Sequence, residues 1–172
     1  MCIRDGLIAV EDRRFYKHNG FDIIGSCRAI YNDLKAWDFV EGGSTISQQL
    51  AKNLYFPKDD TLKRKIAEIF MAFKMEREYE KEDILEFYIN GIYYGSGYYC
   101  IYDASQGYFG KEPKDMNDYE CTVLVGIPNA PSVYSLKVNE ELAHKRQDKV
   151  LECMVELEYL SQEEADLIIE DR

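Results

Sequence analysis

Apolar residues recur at helical spacing along most of this sequence, and no segment sustains the two-residue alternation of a half-buried β-strand. Residues 21–37 place isoleucine, tyrosine and leucine three or four apart. Gly42 and Gly43 then interrupt the pattern, and Ser44 and Thr45 offer a new helix N-cap. The pattern predicts a mainly α-helical, single-domain chain.

Later segments carry similar signals. Further helices are predicted over residues 45–54, 61–79, 82–92, 119–127 and 140–159. In the second of these, Ile66, Ile69, Phe70 and Phe73 are expected to form the apolar stripe. Capping-box spacing, a short polar residue followed three positions later by Glu or Gln, marks three helix starts: Asp103 with Gln106, Asn117 with Glu120, and Ser161 with Glu164.

Composition limits the kinds of ligand. A chain of 172 residues, 46% hydrophobic and 31% charged, can bury one sizeable core and favours a globular domain. A formal net charge of -11 argues against a nucleic-acid partner, because phosphate backbones are bound by excess Lys and Arg. Residues 52–65 are nevertheless locally basic, which suggests a small anionic ligand.

The cysteines and the hydropathy exclude other classes. The five cysteines form no CxxC pair, so neither a zinc site nor a redox motif is indicated. No apolar run reaches the roughly eighteen residues that a membrane-spanning helix needs, and the start lacks the layout of a signal peptide. We expect a soluble chain, or a fragment of an anchored protein.

Glu11 and Asp12 form the first polar cluster. They follow the apolar residues 7–10 and precede Phe15 and His18. Adjacent carboxylates at the end of an apolar run can be half-buried, which prepares one of them for proton transfer. Taken alone, the pair fits solvated charges at a helix end better.

The second cluster spans residues 42–53. Thr45, Gln49 and Lys52 follow helical spacing and share one polar face. A glycine pair before a helix also presents free backbone N–H groups, which favour an anion such as phosphate. This signal is weak alone, because glycine turns before capped helices are common.

The third cluster is Arg64, Lys65 and Glu68, whose three and four-residue spacing lets the charged groups converge. One interpretation is an ordinary surface salt bridge worth a few tenths of a kcal/mol. The other is a carboxylate held among cations at a phosphate-binding face.

Together these segments resemble the peptidoglycan glycosyltransferase family, the lysozyme-like transglycosylase domain of penicillin-binding proteins and of monofunctional transglycosylases. The similar segments, in order, are EDRRFYKHNG from Glu11, GGSTISQQLAKN from Gly42, RKIAE from Arg64, KEDILEFYIN from Lys81, YFGK from Tyr108 and GIPNAPSVYS from Gly126. Their joint order is far more specific than any single segment, and it covers nearly the whole chain.

The resemblance implies a role for each matching residue. Glu11 matches the general base, and Glu68 matches the second carboxylate of the family. Residues that match substrate contacts, or that shape the surroundings of the base, are Asp12, Phe15, His18, Ser44, Thr45, Gln48, Gln49, Lys52, Arg64 and Lys65. Asn90, in the fourth segment, is expected to pack or to form hydrogen bonds.

The resemblance also implies a reaction and partners. The family polymerises lipid II into β-1,4-linked glycan and releases undecaprenyl pyrophosphate, with inversion at the anomeric carbon. The expected partners are lipid II, the growing lipid-linked glycan and the bacterial cytoplasmic membrane, at its outer face, and a transpeptidase domain or other wall-synthesis proteins are compatible with it. A Mg²⁺ or Mn²⁺ ion at the pyrophosphate is also compatible, although no dedicated ligand cluster demands a metal.

Two alternatives and three departures accompany this interpretation. A lysozyme-like hydrolase and an inactive glycan-binding or partner-binding domain remain open. The family often has non-acidic residues where this chain has Asp59 and Asp60, and a Tyr-Gly pair where it has Tyr99 and Cys100. The usual membrane anchor is absent, so residues 1–172 are expected to be a glycosyltransferase domain without it.

Overall fold

The computed structural model describes residues 3–36, 42–56 and 62–172. Within these ranges the chain is mainly α-helical, as predicted, and no strand is present; a single-residue bridge pairs Tyr93 with Tyr99. The helices are α1 (Ile3–Glu11), α2 (Ile23–Ala36), α3 (Ile46–Tyr55), α4 (Leu62–Glu78), α5 (Lys81–Gly91), α6 (Cys100–Phe109), α7 (Asp118–Gly126), α8 (Pro131–Tyr134), α9 (Glu140–Glu156) and α10 (Gln162–Glu170).

The helices belong to two compact units. One is Glu11–Tyr88, and the other joins the residues up to Val10 with Ile89–Arg172. In the second unit α9 packs against α7, α8 and α10, and α7 is buried over most of its length. Gln147 of α9 is also buried, and its Nε2 donates to Thr122 Oγ1 at 2.8 Å, so this buried amide is paired across α7 and α9.

Helices α3 and α4 pack together in the Glu11–Tyr88 unit. On α3 the buried face carries Ile46, Leu50 and Ala51, at the spacing of one helical stripe. On α4 the buried face carries Glu68, Ala72 and Met75. A carboxylate therefore lies on the inner face of α4, where an apolar residue would ordinarily be found.

The predicted apolar stripe of α4 is wrong as a core face. Phe70 is 70% exposed, and Ile66 and Phe73 are also exposed. Their spacing and that of the buried face have the same helical period, so periodicity alone cannot decide which face is inside. Helix α2 behaves similarly, because Tyr31 and Leu34 are exposed.

The helix starts test the capping predictions. The boxes at Asn117 and Ser161 are present, each with both reciprocal hydrogen bonds. The box at Asp103 is wrong, because α6 begins at Cys100 and Asp103 already lies in its first turn. The predicted cap at Thr61, the predicted helix end at Trp37 and the Asp59–Asp60 pair lie outside the described residues.

No helix in the described part of the chain is both long enough and apolar enough to cross a bilayer.

Gly20 lets the loop before α2 approach α4 closely. Its φ is +93°, and a Cβ built there would lie 2.8 Å from Ala72 C and from Phe73 N. Both are backbone atoms of α4, which cannot move aside as a flexible side chain could. Any larger residue at position 20 would meet both conformational strain and a steric clash.

We therefore expect Gly20→Ala to lower the free energy of unfolding by about 2–4 kcal/mol, the sum of positive-φ strain and overpacking. Gly97 is a matched control, because its φ is +87° and a Cβ there would meet nothing within 4 Å. Gly97→Ala should cost only the strain, about 1–2 kcal/mol. Urea denaturation measures both, and equal losses in the two variants would contradict a close approach at Gly20.

Candidate active site

Glu11 lies at the end of α1 and is half-buried. The side-chain amide of Gln49, on α3, donates from Nε2 to Glu11 Oε2 at 2.9 Å. The hydroxyl of Tyr88, on α5, donates to Gln49 Oε1 at 2.9 Å. The structure thus brings together Glu11 and Gln49, which the sequence analysis selected. It adds Tyr88, which the sequence analysis did not select.

Asp12, the next residue, is buried and joins the loop to α3. Its Oδ2 lies 2.9 Å from His18 Nε2 and accepts the backbone N–H of Ile46 at 3.0 Å. The backbone N–H of Gly20 donates to His18 Nδ1 at 3.2 Å. Because Nδ1 accepts, the ring proton is on Nε2, which donates to Asp12. Asp12 therefore fixes the chain immediately after Glu11.

The first turn of α3 is capped from within. Thr45 Oγ1 accepts from Gln48 N at 3.2 Å, and Gln48 Oε1 accepts from Thr45 N at 2.9 Å. Thr45 Oγ1 also donates to the Gly20 carbonyl at 2.7 Å. Asp12 also accepts from Ile46 N, so the backbone amides of Ile46 and Gln48, which were expected to be open to an anion, are both occupied. That expectation is wrong for these amides, because the chain supplies its own acceptors.

The charged groups of α4 converge, as predicted. Arg64 Nε lies 2.9 Å from Glu68 Oε1, and Lys65 Nζ lies 3.2 Å from Glu68 Oε2. Glu68 is 1% exposed, whereas the Lys65 side chain is 39% exposed. Lys65 Nζ also donates to Ser44 Oγ at 2.6 Å, so the cluster reaches the segment that leads into α3. We call Ser44, Arg64, Lys65 and Glu68 the cation cluster.

The remaining predicted residues differ in burial. Lys52 is exposed on α3, about one turn after Gln49. Phe15 is fully buried, its ring edge-to-face with that of His18 at 6.1 Å between centroids. Lys81 Nζ lies 4.3 Å from the centroid of the Phe15 ring. Phe15 and His18 thus support the loop after Glu11 from inside.

The sequence analysis did not select Glu76, a further carboxylate whose side chain is buried. Lys81 Nζ lies 2.7 Å from Glu76 Oε2, and the hydroxyl of Ser47 donates to Glu76 Oε1. His18 Nδ1 lies 3.8 Å from the same Oε1. No local pattern selects Glu76, because its partner Ser47 lies 29 positions away along the chain. This contact set connects α3, α4 and α5.

The far end of the loop is fixed by Asp22. Its carboxylate accepts from Ile24 N at 3.1 Å and pairs with Arg14 Nε at 3.0 Å. Burial by itself would raise the pKa of Asp22, but a backbone hydrogen bond from Gly25 and the Arg14 guanidinium outweigh it, and the pKa lies below its usual value. The carboxylate is therefore ionised at neutral pH and holds the start of α2.

The family model described as Transglycosylase matches residues 2–155. Penicillin-binding protein 1F of Bacillus subtilis is 46% identical over 163 residues, which is 95% of this chain and 23% of that protein. Penicillin-binding protein 1A of Aquifex aeolicus is 41% identical, over 93% of this chain and 22% of that protein. The chain belongs to the transglycosylase family, and its activity class is peptidoglycan glycosyltransferase.

A solved structure agrees with this assignment. The crystal structure of penicillin-binding protein 1A from Haemophilus influenzae matches with a TM-score of 0.50 and 26% identity, over 71% of this chain and 16% of that chain. The chain spans about a quarter of the length of the curated relatives that it matches.

Asp12→Ala should be strongly destabilising, because it leaves the buried His18 Nε2–H and the Ile46 N–H without their acceptor. We expect a loss of about 2–4 kcal/mol in the free energy of unfolding. Asp166→Ala is the control, since Asp166 is exposed on α10, and it should change stability by less than about 0.5 kcal/mol. Thermal and urea denaturation compare the two, and similar stability would argue against an anchoring role for Asp12.

Proposed function

We propose that this domain polymerises lipid II into β-1,4-linked glycan, releases undecaprenyl pyrophosphate, and uses Glu11 as its general base. The observation that carries the proposal is that α3 connects two chemically different groups. Gln49 on α3 donates to the Glu11 carboxylate, and Ser44, just before α3, accepts from Lys65 Nζ of the cation cluster. A base and a site for anionic charge are therefore tied to the two ends of one short segment.

Glu11 has the properties of a base for the 4-hydroxyl of an acceptor sugar. Its carboxylate is half-buried, and Gln49 holds one oxygen in a fixed position. As the hydroxyl oxygen attacks the anomeric carbon, the hydroxyl proton passes to the carboxylate and the bond to the pyrophosphate breaks. Positioned general bases typically contribute about 10²–10⁴-fold to such a step.

The cation cluster suits the leaving group. A lipid pyrophosphate departs as a stable anion, so it needs charge stabilisation more than it needs protonation. Arg64, Lys65 and the exposed Lys52 would supply that charge. Both oxygens of Glu68 are already bound by cations, so we assign Glu68 the role of holding Arg64 and Lys65 in place rather than transferring a proton.

The same geometry weighs against a lysozyme-like hydrolase. A retaining glycosidase needs a second carboxyl group as nucleophile or acid, and inverting enzymes also use two. Glu68 is buried between two cations, one at each carboxylate oxygen, which blocks its oxygens. One carboxylate base together with a cluster of cations fits a single displacement with inversion. The two carboxylates Glu11 and Glu68, each held by its own partners, argue against an inactive binding domain.

The donor groups present do not make a dedicated metal site. Among the described residues, no three or more of the side chains of His, Cys, Asp and Glu converge as metal ligands. Glu68 also has a cation on each oxygen, which would repel a divalent ion. A Mg²⁺ or Mn²⁺ ion at the pyrophosphate would thus be held chiefly by phosphate oxygens.

The wider setting follows from the reaction. Lipid II and the growing glycan carry lipid tails, so the domain would work at the bacterial cytoplasmic membrane, on its outer face where wall is built. Residues 1–172 would then be the glycosyltransferase domain of a larger, anchored protein. A transpeptidase domain is the partner that its penicillin-binding relatives suggest.

Glu11→Gln should abolish polymerisation, reducing the rate by about 10²–10⁴-fold while leaving the fold intact, because the amide cannot accept the proton. Glu78→Gln, an exposed change at the end of α4, is the control and should keep full activity. Gel analysis of glycan made from labelled lipid II gives ladders for a polymerase, cleaved fragments of added glycan for a hydrolase, and no change for a binder. Full activity in Glu11→Gln would sink the assignment of the base.

Lys52→Ala should weaken use of the donor by about tenfold or more, the loss expected for one charge-assisted contact to a phosphate. A lipid-linked oligosaccharide whose terminal 4-hydroxyl is blocked can act only as donor, so its KM can be measured at saturating lipid II. Lys74→Ala, an exposed lysine of α4, should leave that KM unchanged. Equal losses for donor and acceptor in Lys52→Ala would contradict a specific donor role.

A further inference from the structure

We propose that Tyr88 is a positioning residue for catalysis, whose hydroxyl fixes the orientation of the Gln49 amide and thereby holds the Glu11 carboxylate. The inference rests on the proposed role of Glu11 as the base. It starts from two hydrogen bonds in series, from Tyr88 OH to Gln49 Oε1 and from Gln49 Nε2 to Glu11 Oε2, each 2.9 Å long.

The direction of these two hydrogen bonds is set by the groups at the ends of the series, Glu11 and Tyr88. An ionised carboxylate only accepts hydrogen bonds, so the Gln49 amide must turn its NH₂ group toward Glu11. Its carbonyl oxygen then points away, into a buried region, and requires a donor of its own. The Tyr88 hydroxyl is that donor. Without it, the amide would lose the partner that selects the productive orientation over the flipped one.

Tyr88 is itself held rigidly. Its side chain is 1% exposed, so the ring is fixed by core packing rather than by solvent. Lys81 precedes it by seven residues, on the same face of α5, and binds Glu76, which accepts from Ser47 of α3. Helices α5 and α3 are thus linked at two places, and the position of the hydroxyl relative to Gln49 is fixed.

The hydrogen-bond chain holds the carboxylate that takes up the proton. Each N–H or O–H in it points toward Glu11, so Glu11 Oε2 is held as an acceptor. It does not carry the proton away, since the proton of the acceptor hydroxyl ends on Glu11. Loss of the hydrogen-bond chain should therefore impair the chemical step more than substrate binding.

The primary test is Tyr88→Phe, which removes the hydroxyl and keeps the ring. We expect kcat to fall about fivefold to twentyfold, with the donor KM within twofold of wild type. A merely structural role would lower the melting temperature without this selective loss of kcat.

Tyr94→Phe is the matched control. Tyr94 is fully buried, and its hydroxyl donates to the Ile89 carbonyl at 3.3 Å. Burial raises the pKa of Tyr94, so its hydroxyl stays protonated throughout the assay, as a neutral donor. Tyr94→Phe should leave kcat unchanged.

A double-mutant cycle decides whether Tyr88 acts through Gln49. If it does, the Tyr88→Phe/Gln49→Ala double variant should have the same kcat as Gln49→Ala alone. Multiplying losses would overturn the proposal, and so would an unchanged kcat in Tyr88→Phe when wild type is active.

A measurement that needs no turnover separates this inference from the proposed function. The side-chain amide signals of Gln49, assigned by their loss in Gln49→Ala, should shift by NMR as Glu11 titrates in wild type. In Tyr88→Phe that coupling should weaken and the signals should broaden or move. If wild type makes no glycan but the signals behave as described, the function fails and the positioning role stands; insensitivity of the signals to Tyr88→Phe overturns the positioning role.

Discussion

The carboxylate of Asp12 is the contact on which the site depends. It accepts from His18 and from the first amide of α3, so it fixes at once the loop after Glu11 and the helix that carries Gln49. An acceptor at a helix N-terminus is also favoured by the helix dipole. Because Asp12 follows Glu11 directly, the backbone of the proposed base cannot move relative to α3 without breaking a buried charged contact.

Polar groups inside the Glu11–Tyr88 unit are arranged as connected networks rather than as isolated pairs. The His18 ring lies between Asp12 and Glu76, with Nε2 bonded to Asp12 and Nδ1 3.8 Å from Glu76 Oε1. Glu76 in turn pairs with Lys81 and accepts from Ser47. Buried charges are costly unless each is paired, and here each carboxylate has at least one cation or N–H donor. The unit thus places ionised groups in its interior while keeping them in fixed positions, which is what a preorganised polar site requires.

Sequence predicted the helical class, most helix positions and the grouping of Arg64, Lys65 and Glu68, because these depend on local spacing. The prediction of the buried face of α4 failed, because residues on either face of a helix recur at the same spacing. The large apolar residues of α4 are exposed, and Glu68 is buried. The sequence analysis also failed to find Glu76 and Tyr88. Their roles depend on contacts between residues about thirty to forty positions apart along the chain, which no local pattern encodes.

The self-capped start of α3 has a consequence for how an anion could be recognised. Backbone amides at a helix end form a rigid cradle that suits one shape of anion. Here the Ile46 and Gln48 amides already bind Asp12 and Thr45, so under the proposed function an anion would be bound chiefly by Lys and Arg side chains. Long side chains adapt to ligands of different size, but solvent ions screen them. Such a site would tolerate anions of different shape and would be sensitive to ionic strength.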